Sequence, residues 1–566
     1  MPYVQKSEVR DGMRIDWNVP IQVRDGHTLL ADVFRPIKAG HYPVILSHGP
    51  YGKGLAFQDG YKTAWNIMAE KHPDVTAGSS NKYQNWEVVD PEKWVPHDYA
   101  VVRVDSRGAG ASAGYMALWS PQETRDMFDC IEWAGVQPWS NGKVGLLGVS
   151  YYGIEQWQVA ALRPPHLAAI CPWEGASDFY RDVARHGGIC SHGFWSAWWP
   201  RQVLVNQHGN GDSTHVDPDS GERTTGEALM PQMLESNRLD FPNELLRHEW
   251  NDAWHQERSA DLAHIQVPIL SAGNWGGPGV HMRGNIEGWR AAGSQDKWLF
   301  MHVGTHYESF YLPEYVALQK RFFDRYLKGQ ANGFEAEPRV QTWVRTPTGT
   351  RARRKGGTFP FEGTQWQRWH LDCHDLSLTP QVPCESQLSY ANTGPGVTFS
   401  TPALTRELEI LGPLSLRVWV ASEGSDLDLF VVLRAFDPQG QEVVFEGAHE
   451  PTPVTRGWLR ASHRKLDESR CMPGRPWHSH DEAWPLQPGQ PVALDVEIWP
   501  TSLVLPPGHR LSLTLMGQDF EFEGVAGRIL HQAPSDRDPL RLGAHTTILS
   551  GPGHESYLML PVPAPE

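Results

Sequence analysis

Short apolar runs bounded by glycine, proline and polar residues recur along the first third of the chain, at 20–35, 42–47, 98–104, 143–149 and 167–171. Runs of that length between turn residues predict buried strands, and Asp25-Gly26 between two β-prone stretches predicts a hairpin. From Glu123 to Ala134 the apolar positions Met127, Cys130, Ile131 and Ala134 fall at i, i+3, i+4 and i+7, which predicts an amphipathic helix leading into the next strand. Strand, loop, strand, helix, strand, turn and helix in this order predict a mostly parallel sheet. The rhythm breaks between Asp178 and His264, where an aromatic cluster (Phe194 to Trp199), a polar tract and helical stretches predict a lid inserted over the sheet. It returns with strands at 267–273 and 297–303 and a helix with Tyr315, Leu318, Phe322 and Tyr326 on one face and Gly329 as C-cap. Beyond about residue 338 the pattern becomes short alternating strands, such as Leu414, Leu416, Val418 and Val420 against Ser415, Arg417 and Trp419. The expected organisation is α/β, with the α/β domain in two parts (1–178 and 264–335), a helical lid at 179–263, and an all-β sandwich of jelly-roll type at 338–566.

Composition narrows the function classes. The 566 residues carry a formal net charge of −16, and the longest basic block is the short 351–355 stretch, which counts against a nucleic-acid or anionic-membrane partner. Residues 1–20 show scattered charges and no apolar run of signal-peptide or membrane-span type, so a cytoplasmic location is expected. The six cysteines form no C-x-x-C pair and read as free thiols. The 25 tryptophans suit β-rich packing and apolar pockets alike.

The chemistry gathers at Gly148-Val149-Ser150-Tyr151-Tyr152-Gly153, an apolar strand followed by a serine and a helical segment. This is the context of a nucleophile elbow, although Tyr152 stands where G-x-S-x-G has its last glycine. A serine nucleophile needs a base, a group that orients the base, and donors for the oxyanion. His306, in the loop after the last expected strand of the α/β domain, is placed to be the base; His302, inside that strand, is the rival. His370, Asp372, Cys373 and His374, like His478, His480 and Asp481, have metal-like composition but read as loops of the β domain, and Asp217-Pro218-Asp219-Ser220-Gly221 completes no twelve-residue calcium pattern. No metal and no cofactor are expected.

Five segments in order carry a resemblance: Pro50-Tyr51, Asp105-Ser106-Arg107-Gly108, Gly148-Val149-Ser150-Tyr151, Arg321-Phe322-Phe323-Asp324, and the 457–464 stretch GWLRASHR. Over nearly its whole length the chain resembles the cocaine esterase and X-Pro dipeptidyl-peptidase family of CocE/NonD-type hydrolases. That resemblance implies an α/β-hydrolase domain with an inserted helical lid and a C-terminal jelly roll. It also implies Ser150 as nucleophile, His306 as general base, and the Tyr51 phenol with the Tyr151 backbone N–H as oxyanion hole.

The acid departs from the family pattern. Family members carry an aspartate in a Gly-Trp-Tyr-Asp-like turn, and here that turn reads Gly273-Asn274-Trp275-Gly276, with Gly276 at the aspartate position. Glu174, at the tip of the strand after the elbow, is the preferred replacement; Asp178, one turn further on, suits a helix cap, and a site without an acid stays open. Trp195 in the lid and Trp275 are candidates for lining an apolar substrate pocket or, equally, for core packing. The expected function is a serine hydrolase that cleaves a small-molecule ester or amide through an acyl-enzyme. The alternatives are an X-Pro dipeptidyl-peptidase and, given the missing aspartate, an inactive binding protein. Homo-oligomerisation stays open.

Overall fold

The computed structural model describes residues 5–217, 221–525 and 531–565, so Pro218, Asp219 and Ser220 of the acidic loop noted above lie outside the described residues. The first thirteen strands are β1 (Lys6–Arg10), β2 (Met13–Gln22), β3 (Thr28–Pro36), β4 (Tyr42–Gly49), β5 (Ala100–Asp105), β6 (Ser140–Val149), β7 (Leu167–Trp173), β8 (Arg185–His186), β9 (Ile189–Cys190), β10 (Ile269–Asn274), β11 (Lys297–His302), β12 (Val340–Thr346) and β13 (Gly349–Gly356). Apart from the β8–β9 hairpin they form one sheet in the order β1-β2-β3-β5-β4-β6-β7-β10-β11-β12-β13. From β5 to β12 the neighbours run parallel, while β1–β3 and β13 add antiparallel edges. Every residue of β4, β5 and β10 is buried, which is why these strands read as continuous apolar runs and not as alternating ones.

The helix Pro121–Gly135 forms where its apolar spacing predicts it. Ser120 caps its start by accepting from the Glu123 amide, proline occupies the first turn, and Met127, Cys130, Ile131 and Ala134 are buried. The helix Pro313–Lys328 ends at Gly329, whose φ of 71° is the left-handed conformation a helix C-cap favours. Parallel strands deliver their chemistry at their carboxyl ends. Here those ends, with the turns that leave them, carry Ser150, Glu174, Asn274, Gly276 and His306.

Two segments cover that edge. The inserted lid is built of short helical pieces, among them Phe179–Ala184, His192–Trp198 and Phe241–Arg247. It is fastened to the β domain: Arg181 donates to the His478 carbonyl at 2.6 Å, Arg185 pairs with Asp536 at 2.7 Å, and the Arg460 N–H donates to the Gly187 carbonyl at 2.8 Å. A Cβ on Gly187 would stand 2.0 Å from the Trp458 carbonyl oxygen, so this junction requires glycine. The second cover, helices Phe57–Gly60, Lys62–Lys71 and Pro73–Thr76, lies between β4 and β5, where the sequence pattern signalled no element.

The remaining strands form a second eleven-stranded sheet, in which Leu408–Ser422 also pairs with Tyr557–Val562. Leu414, Leu416, Val418 and Val420 are buried in its core and Ser415, Arg417 and Trp419 are half-buried, as the alternation predicts. The first sheet, however, continues through β12 and β13: Val340 pairs with Leu299, so residues 340–356 belong to the α/β sheet and not to the β domain expected to begin at 338. Alternating apolar residues show a strand but not which sheet it joins.

Candidate active site

Ser150 stands between β6 and the helix Tyr151–Ala161 with φ 58° and ψ −115°, a conformation that L residues adopt only when their surroundings enforce it. Its N–H donates to the Trp173 carbonyl at 3.0 Å, and the Val149 N–H donates to the Glu87 carbonyl at 2.9 Å. A Cβ on Gly148 would meet Tyr152 Cβ at 2.4 Å, and one on Gly153 would meet the Trp173 oxygen at 2.6 Å. These two positions therefore hold the elbow's glycines. Tyr152 is accommodated in a glycine's usual place because Gly49 opposite has no Cβ to strike its ring.

The imidazole in hydrogen-bond contact with Ser150 is His281, whose Nε2 lies 3.3 Å from Oγ. His281 immediately precedes the helix Met282–Ala291 and is buried, with no hydrogen-bond partner at Nδ1 among the described residues. Burial, reinforced by His306 and His449, holds its pKa well below that of a free imidazole, so the ring is neutral. His306 stacks against it, with ring centroids 4.9 Å apart and planes 15° from parallel.

His306 is fully engaged. Its Nδ1 lies 2.8 Å from Glu174 Oε2, and its Nε2 lies 2.9 Å from Glu87 Oε1. Burial works to lower its pKa, but the charge and hydrogen bond of Glu174, joined by Glu87, outweigh it and hold the ring at about 10. The expected contact between His306 and Ser150 is thus replaced by two carboxylates on one imidazolium. Glu174 sits at φ 43°, directly after β7, and its other oxygen accepts from Asn274 Nδ2 at 3.2 Å. Asp178 is separated from this group. It caps the turn Phe179–Ala184 and pairs with Arg181 at 2.7 Å. His302 lies behind Glu174, 3.5 Å from Oε1 and packed on Trp173.

A cavity of about 840 Å³ opens over Ser150 and His306, within the size range of small-molecule sites. Aromatic side chains, with Trp86, Trp119, Trp195 and Trp198 among them, form much of its apolar wall, and Asp59, Lys62, Glu446 and Glu450 line it as well. Tyr51 also lines it. The Tyr51 hydroxyl accepts from Trp198 Nε1 at 3.1 Å, which leaves its own O–H to donate, and burial pushes its pKa upward so that the proton stays on. Trp275, by contrast, is not a wall residue. It is buried where the two domains meet, donating to Thr342 Oγ1 at 2.8 Å and packing with Phe359, because the turn after β10 points it away from the cavity.

The far wall comes from the β-domain loop 444–451. The His306 N–H donates to the Ala448 carbonyl at 2.9 Å, and the Ala448 N–H donates to the Gly276 carbonyl at 2.7 Å. This loop explains the missing aspartate. A Cβ at Gly276 would stand 2.6 Å from the Glu446 oxygen and 3.0 Å from Gly447 Cα, so backbone occupies the space a side chain would need. Gly276→Asp is expected to cost about 1–3 kcal/mol of stability and to lower turnover rather than raise it; a thermal melt together with kcat checks both.

His281, Glu87 and the 444–451 loop were not singled out from the sequence. The signal available for His281 was weak, a histidine five residues past Gly276 in the turn after a parallel strand. Glu87 lies in an irregular stretch between β4 and β5 with no motif to mark it.

The family models for X-Pro dipeptidyl-peptidase (S15 family) and for the X-Pro dipeptidyl-peptidase C-terminal non-catalytic domain match residues 25–308 and 332–559. Cocaine esterase of a Rhodococcus species is 23% identical, the match covering 96% of this chain and 98% of the relative. A CocE/NonD family hydrolase from Staphylococcus aureus is 30% identical, with a TM-score of 0.83 over 97% of this chain and 94% of that one. An aminopeptidase from a Thaumarchaeota archaeon, at 16% identity, shares the fold with a TM-score of 0.70 over 100% of this chain and 97% of that one. With a strained serine and an imidazole at its side under an aromatic cavity, and with both domains matched, the chain belongs to the X-Pro dipeptidyl-peptidase S15 family of CocE/NonD-type hydrolases and is a serine hydrolase.

Proposed function

We propose that the enzyme hydrolyses esters of bulky apolar or aromatic acids, with Ser150 as nucleophile and His281 as its general base. The 3.3 Å contact between Ser150 Oγ and His281 Nε2 carries this reading. A neutral imidazole accepts the serine proton as Oγ attacks the carbonyl and returns it to the departing alkoxide; water then releases the acid by the same route. The Tyr51 phenol and the Tyr151 backbone N–H are the proposed donors to the oxyanion, at the N-terminal end of a helix whose dipole favours negative charge. His306, held by Glu174 and Glu87, supports the stacked His281 ring, which burial keeps neutral. The aromatic walls favour an apolar acyl group.

A second reading rests on the 2.8 Å bond between His306 and Glu174. If His306 exchanges Glu87 for Ser150 when substrate arrives, Ser150, His306 and Glu174 become a catalytic triad, with the acid supplied by a neighbouring strand. Side-by-side turnover of p-nitrophenyl acetate, p-nitrophenyl benzoate and an Ala-Pro anilide tests the substrate class. The benzoate is expected to have the highest kcat/KM, and the anilide leading would overturn the ester reading in favour of a dipeptidyl-peptidase. Small uncharged or weakly charged molecules are the proposed substrates, in keeping with a negatively charged chain. We read the β domain as a jelly roll. No helix among the described residues is long and apolar enough to cross a membrane, and the six free cysteines support a reducing, cytoplasmic setting.

A further inference from the structure

Besides touching the nucleophile, His281 belongs to a cluster. His281, His306 and His449 each bring a ring nitrogen to within 4.8 Å of the other two. The ring of His449 lies 4.7 Å from that of His306 and 6.2 Å from that of His281. Two of these residues belong to the α/β domain and one to the β-domain loop that is hydrogen-bonded to the His306 backbone. His281 is only 2% exposed, and its Nδ1 is buried without a hydrogen-bond partner among the described residues.

Imidazole nitrogens are good ligands for zinc and other first-row transition metals. Zinc–nitrogen bonds of about 2.0–2.1 Å in a tetrahedron set the donor atoms roughly 3.4 Å apart, so binding requires the nitrogens to converge and the near-parallel rings of His281 and His306 to tilt until both aim at one ion. Glu174 already holds His306 through Nδ1, the outer carboxylate contact that orients metal-binding imidazoles. Glu87, beside Nε2, is a carboxylate able to complete the set.

We propose that His281, His306 and His449 form a reversible inhibitory site for Zn2+ or a similar transition-metal ion, closed across the two domains over Ser150. Coordination makes one bond from each of three neutral ring nitrogens to the metal; at His306 the hydrogen bond from Nε2 to Glu87 breaks and its proton passes to solvent. A ring so held cannot take the Ser150 proton, and hydrolysis stops until the ion is removed. The inhibition rests on the reading of His281 as base; the binding itself does not.

The test uses the full chain, stripped with EDTA and dialysed, then titrated with Zn2+ by calorimetry and assayed on a p-nitrophenyl ester. One ion per chain is expected, with activity falling in step with occupancy and returning on chelation. His449→Ala and the bulkier His449→Gln should each weaken binding about tenfold or more and shift inhibition to correspondingly higher zinc. Ser150→Ala should bind as the wild type does, and with Co2+ should give a visible absorption band that His449→Ala loses. Absence of saturable binding up to about 1 mM, a concentration that corresponds to only about −4 kcal/mol, would overturn the site. Equal zinc sensitivity in wild type and both His449 variants would do the same. If His281→Ala stays active while the wild type still binds zinc, the base assignment fails and the metal site stands. If His281→Ala is inactive and the wild type binds no zinc, the metal site fails and the base assignment stands.

Discussion

Ser150→Ala is expected to lower kcat on the order of a million-fold and to abolish labelling by a fluorophosphonate. What remains should be the modest acceleration that binding and oxyanion donors supply without a nucleophile. The elbow itself should survive, because the φ of 58° at this position is imposed by hydrogen bonds to Trp173 and Glu87 and by the packing of Gly148 and Gly153, none of which uses the hydroxyl. A melting temperature close to that of the wild type, beside absent labelling, identifies a chemical loss. Near-normal turnover of a p-nitrophenyl ester by the variant would remove Ser150 from the mechanism.

His281→Ala is expected to follow closely, with kcat down on the order of 10^5-fold, because it removes the imidazole in contact with the Ser150 hydroxyl. His306→Gln should cost less, about a hundredfold, the size of effect produced by a displaced support. The pH profile separates the two histidines independently of these magnitudes. A base must be deprotonated to act, so activity rises with pH through the pKa of the base in the free enzyme. Burial holds the pKa of His281 well below 6.5, which places the rising limb of kcat/KM on the acid side of an ordinary imidazole. His306 is held at about 10, so a mechanism running through it in its present pairing would gain activity only in strongly alkaline solution. A rising limb near 10, or a His281→Ala variant with most of its activity, transfers the base to His306.

Residue spacing made these contacts legible to different degrees. The elbow was readable because its constraints are local: an apolar strand, a glycine two residues before the serine and another three after it all act within one turn. Glu174 was readable as well, since a carboxylate at a buried strand tip needs a partner, and at 2.8 Å it has one in His306. The contact with Ser150 expected of His306, from its place after the last strand of the α/β domain, is made by His281 here. The second nitrogen of His306 is taken by Glu87, a residue 219 positions away in sequence in a stretch without periodicity. Trp275 shows the same limit in another form, because an aromatic residue after a strand fits a pocket wall or a domain junction equally well, and only packing against Phe359 and Thr342 distinguishes them.

By itself, the sequence determined the period of the elements it signalled, the strand-turn-helix that strains Ser150, and the division into an α/β part and a β part. All of these follow from residue spacing along the chain, which sets the faces that can be buried. Only the tertiary structure decided which histidine touches the serine, why residue 276 is a glycine, and that a β-domain loop closes the cavity. Those outcomes arise where segments distant in sequence compete for the same few ångströms. At Gly276 the Glu446 to Ala448 backbone fills the space an acid side chain would need, and at His306 two buried carboxylates hold the proton that the serine's base must be free to accept.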